Sequence, residues 1–372
     1  MQLFDCQHCG QTLHFENGTC ESCGHRLGFV PAEQVLAALS ADGDRWRRLD
    51  DPSVTYRFCI NAEHDACNWL VEEDDPSTYC RSCRHNRVVP DLSVAANLQG
   101  WRRLEVAKHR LFYSLLKFGL PLATRTDRPD GLGFDMLADP VDPAAPKVLT
   151  GHDTGLITIN IAEADDVERE SRRIGMGEPY RTLLGHFRHE VGHYYWDRLV
   201  GDGSPETLSA CRAIFGDERT DYAEALRRHY SQGASPESRA RCVSAYATSH
   251  PWEDFAETWA HYLHIVDTLD TASSFGLRLQ PRAAQANNLA TRIDFDAYRA
   301  ETMEILIHAW IPMTIALNSL NRSMGLRDLY PFVLAPAVVE KLRFIHRLIG
   351  EASAVTPQTG QSGDSPAERA FA

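Results

Sequence analysis

Beyond residue 92 the apolar positions fall mainly at helical spacing, and strict alternation is confined to short runs. Val94, Leu98, Trp101, Leu104, Leu111, Leu115 and Phe118 mark a long amphipathic helix over about residues 93–119, ended by Pro121 and the turn-forming stretch 125–131. Residues 132–137 and 155–161 read as strands, the second alternating apolar with polar side chains. The densely charged run 165–173 reads as a solvated face or loop. Helical spacing returns in 180–199, in 222–230, from Pro251 onward and through most of 285–350, with breaks expected at Pro312, Pro331 and Pro336. Past Glu351 the chain is rich in Ser, Gly, Pro, Thr and Gln, the composition of a disordered tail. The pattern predicts an α+β protein whose mostly helical domain, residues 91–350, carries a small sheet and is followed by a tail over 351–372.

Residues 1–90 carry a different signal. Eight of the ten cysteines lie there. Cys6, Cys9, Cys20 and Cys23 form two C-x2-C pairs ten residues apart, the spacing of a zinc ribbon with two knuckles and a hairpin over 11–18 turning at Asn17-Gly18. Gly10 and Gly24 follow the second cysteine of each pair, where the backbone must turn around the metal. Cys59, Cys67, Cys80 and Cys83 predict a second four-cysteine site with one irregular arm, because seven residues separate Cys59 from Cys67; His64 and His85 are near enough to be substitute ligands. Four thiolates leave no open coordination position, so both ions are expected to be structural, each stabilising a segment too small for a core of its own.

With 372 residues and 43% hydrophobic content the chain is globular and long enough for two or three domains. A formal charge of −13 argues against broad nucleic-acid binding, which needs clustered Lys and Arg. The N-terminus has no basic flank and apolar run, and the apolar stretch 305–317 is too short to cross a bilayer, so a cytoplasmic protein without membrane contact is expected. Cysteines in metal-ligand spacing agree with a reducing compartment, in which Cys211 and Cys242 remain free thiols.

The candidate chemistry centres on His189-Glu190-Val191-Gly192-His193. On a helix, imidazoles four residues apart share a face and grip one metal ion, with Glu190 beside the open position as general base. A third ligand is required, and the helix from Pro251 offers Glu253 and Glu257, one turn apart beside Trp252, Phe255, Ala256, Trp259, Ala260 and Leu263. Such carboxylates are costly unless a metal or histidine neutralises them. Glu253 is assigned as the third ligand and Glu257 as the acceptor of a ligating histidine's far N–H, with the reverse order open. Asp254 falls on a neighbouring face; His250, His261 and His264 read as capping or packing residues. Tyr246, in the connection before the helix, is a candidate oxyanion donor.

These residues resemble a known pattern. His189-Glu190-x-x-His193 with Glu253 and Glu257 looks like the gluzincins, and the Tyr246-to-Glu253 spacing is similar to that of the anthrax lethal factor group. The whole chain more closely resembles the bacterial zinc-binding metallopeptidases that carry an N-terminal zinc-ribbon domain, supported by 79–83 with 90–93, 214–218 with 227–230, and 317–324 with 328–332. The resemblance implies a zincin-like fold, one catalytic and two structural zinc ions, and hydrolysis of a peptide or protein. About 60 residues separate His193 from Glu253, so 201–246 must form an excursion, its 222–230 helix walling the cleft. Two competing readings are a ribbon that binds a protein partner beside a silent zincin site, and a ribbon that delivers substrate to the cleft or covers it.

Overall fold

The computed structural model describes residues 1–140, 142, 144–175, 181–282 and 287–355. In the cysteine-rich part, β1 (Phe4–Asp5) pairs with β2 (Thr12–Leu13). Gly10 and Gly24 adopt φ of 72° and 76°, and their N–H groups return to the carbonyls of Cys6 and Cys20 at 2.8 Å, which closes each knuckle as expected. The hairpin over 11–18 does not form. Asn17 bonds back to His14, its N–H donating to the carbonyl and its Oδ1 accepting from the His14 N–H, so Thr12 and Leu13 pair toward the N-terminus instead.

A five-stranded antiparallel sheet follows, unforeseen in the sequence: β3 (Arg26–Val30), β4 (Val35–Asp42), β5 (Arg45–Arg48), β6 (Thr55–Phe58) and β7 (Leu70–Glu72), in chain order. A bridge between Phe29 and Trp69 draws the first strand to the last. The segment therefore has apolar packing of its own, contrary to expectation, and this packing continues into the rest of the molecule. Phe15 and Phe29 meet at 4.8 Å between ring centroids, and Phe15 meets Tyr113 of the following helix at 5.4 Å.

That helix, α1 (Ala95–Phe118), ends at Gly119 as the spacing predicts. A second sheet carries β8 (Asn86–Val88), β9 (Gly133–Leu137), β10 (Gly151–Asp153) and β11 (Leu156–Asn160), in the order β10-β11-β9-β8. β8, β9 and β11 are parallel, while β10 folds back antiparallel onto β11 through Thr154-Gly155. The expected strand at 155–161 is thus interior, and the sheet's edge beside the His189–His193 motif is β10, too short to register as a pattern. The charged run 165–173 is helical, as part of α2 (Asp166–Gly175), because Asp165 Oδ1 accepts from the N–H groups of Val167 and Glu168 at its start.

α3 (Leu183–Trp196) is capped by Thr182, whose hydroxyl accepts from the Gly185 N–H at 3.0 Å; a π-helical turn, Asp197–Gly201, follows without a break. The excursion contains α4 (Pro205–Phe215), α5 (Tyr222–Gln232) and the single turn α6 (Pro236–Arg239). α7 (Pro251–Ser274) starts with Pro251 in its first turn and His250 as its cap, Nδ1 accepting from the Trp252 N–H at 3.1 Å. α3 and α7 are packed with Tyr195 stacked on Trp259, centroids 4.9 Å apart, and with Gly192 against Ala256.

A two-stranded ribbon, β12 (Arg278–Leu279) with β13 (Thr291–Arg292), leads to α8 (Met303–Ser323) and α9 (Pro336–Val355). α8 runs through Pro312 rather than breaking there, while Pro336 opens α9. The helix reaches Val355, past the expected start of the tail; residues 356–372 lie outside the described residues. Among the described residues α8 is long and apolar enough to cross a membrane by length and composition; Leu306, Trp310 and Met313 are buried within the fold.

Candidate active site

Because α3 and α7 approach at Gly192 and Ala256, the nearby side chains of His189, His193 and Glu253 meet between them. His189 Nε2 and His193 Nε2 lie 3.0 and 3.5 Å from Glu253 Oε2. Metal–ligand bonds of about 2.0–2.2 Å in a tetrahedron require edges of about 3.3–3.6 Å between donors. Glu253 Oε2 is buried and, among the described residues, receives no hydrogen bond of acceptable geometry. A buried carboxylate oxygen left in that state fits a cation better than any protein group around it.

The other atoms of these side chains are held. The phenol of Tyr222, from the first turn of α5, donates to Glu253 Oε1 at 2.7 Å. His189 Nδ1 lies 2.8 Å from Glu257 Oε1, and the Ser244 hydroxyl donates to Glu257 Oε2 at 2.5 Å. Nδ1 of His189 is thereby committed to Glu257, and Nε2 is the nitrogen that faces Glu253. Burial opposes charge on His189, yet Glu253 and Glu257 lift it well above the usual histidine range. Burial likewise opposes ionisation of Glu257, but His189 holds it down at about 2. Paired anions that hold a proton this strongly mark a place built for positive charge.

Glu190 is buried, with Oε1 3.3 Å from His186 Nε2, and the opposite nitrogen of His186 bonds Glu163. Burial would lower His186; Glu163, helped by Glu190, raises it to about 9. The same contacts keep Glu190 below its usual range against the effect of burial. Trp252 lies over His193 with centroids 4.0 Å apart, and Tyr246 packs 5.9 Å from His189. Asp254 faces away, bonded by Lys341 of α9 at 2.5 Å. His250 caps α7, His261 pairs with Tyr330 at 2.7 Å, and Arg188 donates to His264 Nδ1 at 2.7 Å, so all three serve packing or capping.

Each cysteine quartet gathers into one cluster. Sγ separations of 3.6 Å (Cys6–Cys23, Cys9–Cys20) and 3.7 Å (Cys67–Cys80) match the edge of about 3.8 Å implied by zinc–sulfur bonds of about 2.3 Å. The extra residues between Cys59 and Cys67 fold into a 3-10 turn, Ile60–His64, ended by Asp65 at φ 51°. His64 and His85 are not substitute ligands: His64 packs on Trp101, and His85 Nδ1 bonds the Leu132 carbonyl at 2.9 Å. His109 of α1 stands there instead, Nε2 3.3 Å from Cys67 Sγ and 3.6 Å from Cys83 Sγ. Beside it the fully buried pair Lys108–Glu105 closes at 3.0 Å, with Cys83 Sγ 3.5 Å from Glu105.

His186, Glu163, Tyr222, Ser244 and His109 escaped the sequence reading. His186 left a trace, since it precedes Glu190 by four residues and so shares its helix face. The other four come from distant elements and left none. The N-terminus is anchored away from the donor cluster: Met1 reaches α7 at Asp267, fourteen residues of helix or about 21 Å from Glu253. A cavity of about 780 Å³ lined by Lys117, Phe118, Tyr262, Tyr298 and His346 is also remote from the cluster and contains none of its donors.

Two histidines on α3, a carboxylate on α7 and a pair of cysteine clusters ahead of them are donor sets suited to zinc. The chain belongs to the family described as "Putative zinc-binding metallo-peptidase", whose model matches residues 97–348; a zinc-ribbon domain model matches 3–94. Uncharacterised proteins of Mycobacterium bovis and of two Mycobacterium tuberculosis strains are 44% identical to it over 352 residues, 94% of this chain and 96% of theirs. No solved structure matches.

Proposed function

We propose that the chain is a zinc-dependent peptidase or amide hydrolase, with His189, His193 and Glu253 as ligands of the catalytic ion and the two four-cysteine clusters holding structural zinc. The reading rests on the convergence of His189 Nε2, His193 Nε2 and the otherwise unbonded Glu253 Oε2. Zinc bound by three protein ligands supplies a Lewis acid and an acidified water. Glu190 accepts the proton lost when water attacks the carbonyl and returns it to the leaving amine. His186, kept cationic by Glu163, fixes the Glu190 carboxylate and keeps it ionised. Glu257 and Ser244 set the His189 tautomer, and Tyr222 orients Glu253. Tyr246 is the candidate donor to the developing oxyanion, and β10 is the edge along which an extended substrate adds.

The test pairs metal analysis with a peptide-library cleavage assay. Wild type is expected to hold three zinc ions per chain; Glu190→Gln should keep all three and lose about 100- to 10,000-fold in rate. Wild type that carries the third ion and cleaves nothing in the library, or a variant as fast as wild type, refutes the reading.

A further inference from the structure

Beside the donor cluster lies a cavity of about 220 Å³ lined by Trp196, Asp197, Glu218, Tyr222, His250 and Trp252. Two of its walls belong also to the metal-ligand assembly: Tyr222 bonds Glu253, and Trp252 covers His193. A side chain that entered it would belong to a residue close to the bond under attack. We infer that this cavity is a substrate subsite for a lysine or arginine side chain, received between the aromatic rings of Trp196, Tyr222 and Trp252 and paired with the Asp197 carboxylate. The inference rests on the hydrolase reading above.

The charges around the cavity support a cation. Glu218 is already neutralised by Arg212, which donates from Nε at 2.9 Å and from Nη2 at 2.5 Å. Arg198 is engaged by Asp130 and by Asp202. His250 donates Nε2–H to the Thr220 carbonyl at 3.0 Å while its Nδ1 caps α7, so it is neutral. Asp197 is different. Among the described residues its carboxylate has no hydrogen bond, and the nearest basic atom is His152 Nε2 at 3.9 Å. That nitrogen accepts from the Gly155 N–H at 2.9 Å, so His152 carries no proton there and no counter-charge. Among the described residues lining the cavity, Asp197 is thus a carboxylate without a hydrogen-bonded partner, with Arg198 and His193 acting on it only from a distance.

Local backbone geometry points the same way. Asp197 begins the π-helical turn that follows α3 without interruption, and Trp196 precedes it. Such a turn rotates the side chains away from the register of the preceding α-helix and is common where a helix borders a functional site. Indole and phenol faces attract ammonium and guanidinium groups, whereas an aliphatic subsite would be expected to exclude an unpaired carboxylate. Burial pushes Asp197 up to about 6 against the pull of Arg198 and His193, so a cation brought into contact with it would be favoured.

The test measures binding to zinc-loaded, full-length Glu190→Gln by calorimetry, with peptides matched except for arginine, citrulline or norleucine at one position. Arginine peptides should bind about 10- to 100-fold more tightly than their citrulline counterparts, the range for one charge-assisted pair. The ratio should fall toward one in Asp197→Asn and be partly restored in Asp197→Glu. Equal affinities for arginine and citrulline peptides, binding of neither, or an unchanged ratio in Asp197→Asn overturns the inference. Should Asp197→Asn not fold, the arginine-to-citrulline ratio of the Glu190→Gln protein decides by itself. Cleavage by wild type separates this from the hydrolase reading: cleavage without basic preference refutes the subsite alone, whereas preferential binding of arginine peptides that are never cut refutes hydrolysis alone.

Discussion

Gly192→Ala places one methyl group at the closest approach of α3 and α7. A Cβ there would lie 3.0 Å from Ala256 Cα, 3.2 Å from the Ala256 carbonyl oxygen and 3.2 Å from Trp259 Cβ. Non-bonded carbons sit comfortably at about 3.5–4.0 Å, so the helices must part by a few tenths of an ångström. Two of the three obstructing atoms are backbone, and no rotamer change relieves them. Overpacking of this kind costs about 1–3 kcal/mol, while alanine in place of a mid-helix glycine returns about 1 kcal/mol through propensity. The net change in metal-free stability is therefore only about 0–2 kcal/mol, too small to be diagnostic. Metal affinity is the sharper readout. Glu253 lies one turn from Ala256 on the same helix, and its Oε2 must remain near the present 3.0 and 3.5 Å from the two imidazoles. Ligand distances tolerate about ±0.2 Å, so a displacement of a few tenths of an ångström should weaken zinc binding at this site by about tenfold. Competition with a chelating dye, after the two cysteine sites are filled, measures this directly. A Gly192→Ala protein with wild-type zinc affinity would show that the helix approach does not set the donor geometry.

Glu257→Leu removes the acceptor that holds His189 Nδ1–H, and zinc affinity at that site should drop about 10- to 100-fold in the same competition assay. Lys341→Met leaves Asp254 buried without its cation; burial already outweighs Lys341 and raises this carboxyl to about 6, so the group protonates and denaturant unfolding should show a loss near about 3 kcal/mol, the low end for a broken buried pair. His85 is lowered by burial from 6.5 to about 4, so the unfolded chain binds more protons in that window. Its contribution is complete above about pH 6.5 and erodes as pH falls toward 4, by up to about 1.4 kcal/mol per unit; the slope of stability against pH over that range should be shallower in His85→Asn.

The helical half of the fold was legible because long amphipathic helices announce themselves locally. α1 ends at its glycine, and α7 opens at Pro251 with His250 as cap, as their sequences indicate. Strands of three or four residues leave no such pattern, which is why β5, β7 and the edge β10 passed unnoticed. α8 shows another limit: a proline rule based on local hydrogen bonding gave way to a helix whose face, including Pro312, is buried. At the site, the spacing within one helix gave His189 and His193, and the pairing of Glu253 with Glu257 gave the second helix. The groups that hold these donors were illegible. Tyr222, Ser244 and Glu163 reach the site from separate elements, and their placement depends on tertiary packing that no local period encodes.

The family matches divide the chain between residues 94 and 97, at the start of α1. The physical seam is elsewhere. His109 leans on two thiols of the second cysteine cluster from a helix that also packs against α3, and aromatic side chains of the N-terminal sheet share a core with that helix. Cutting the chain at the sequence boundary would strip α1 of the groups that enclose Lys108 and Glu105, and would leave a buried ion pair facing water. The first 94 residues thus share packing with the helical domain, and the cooperative unit in unfolding should be the whole molecule.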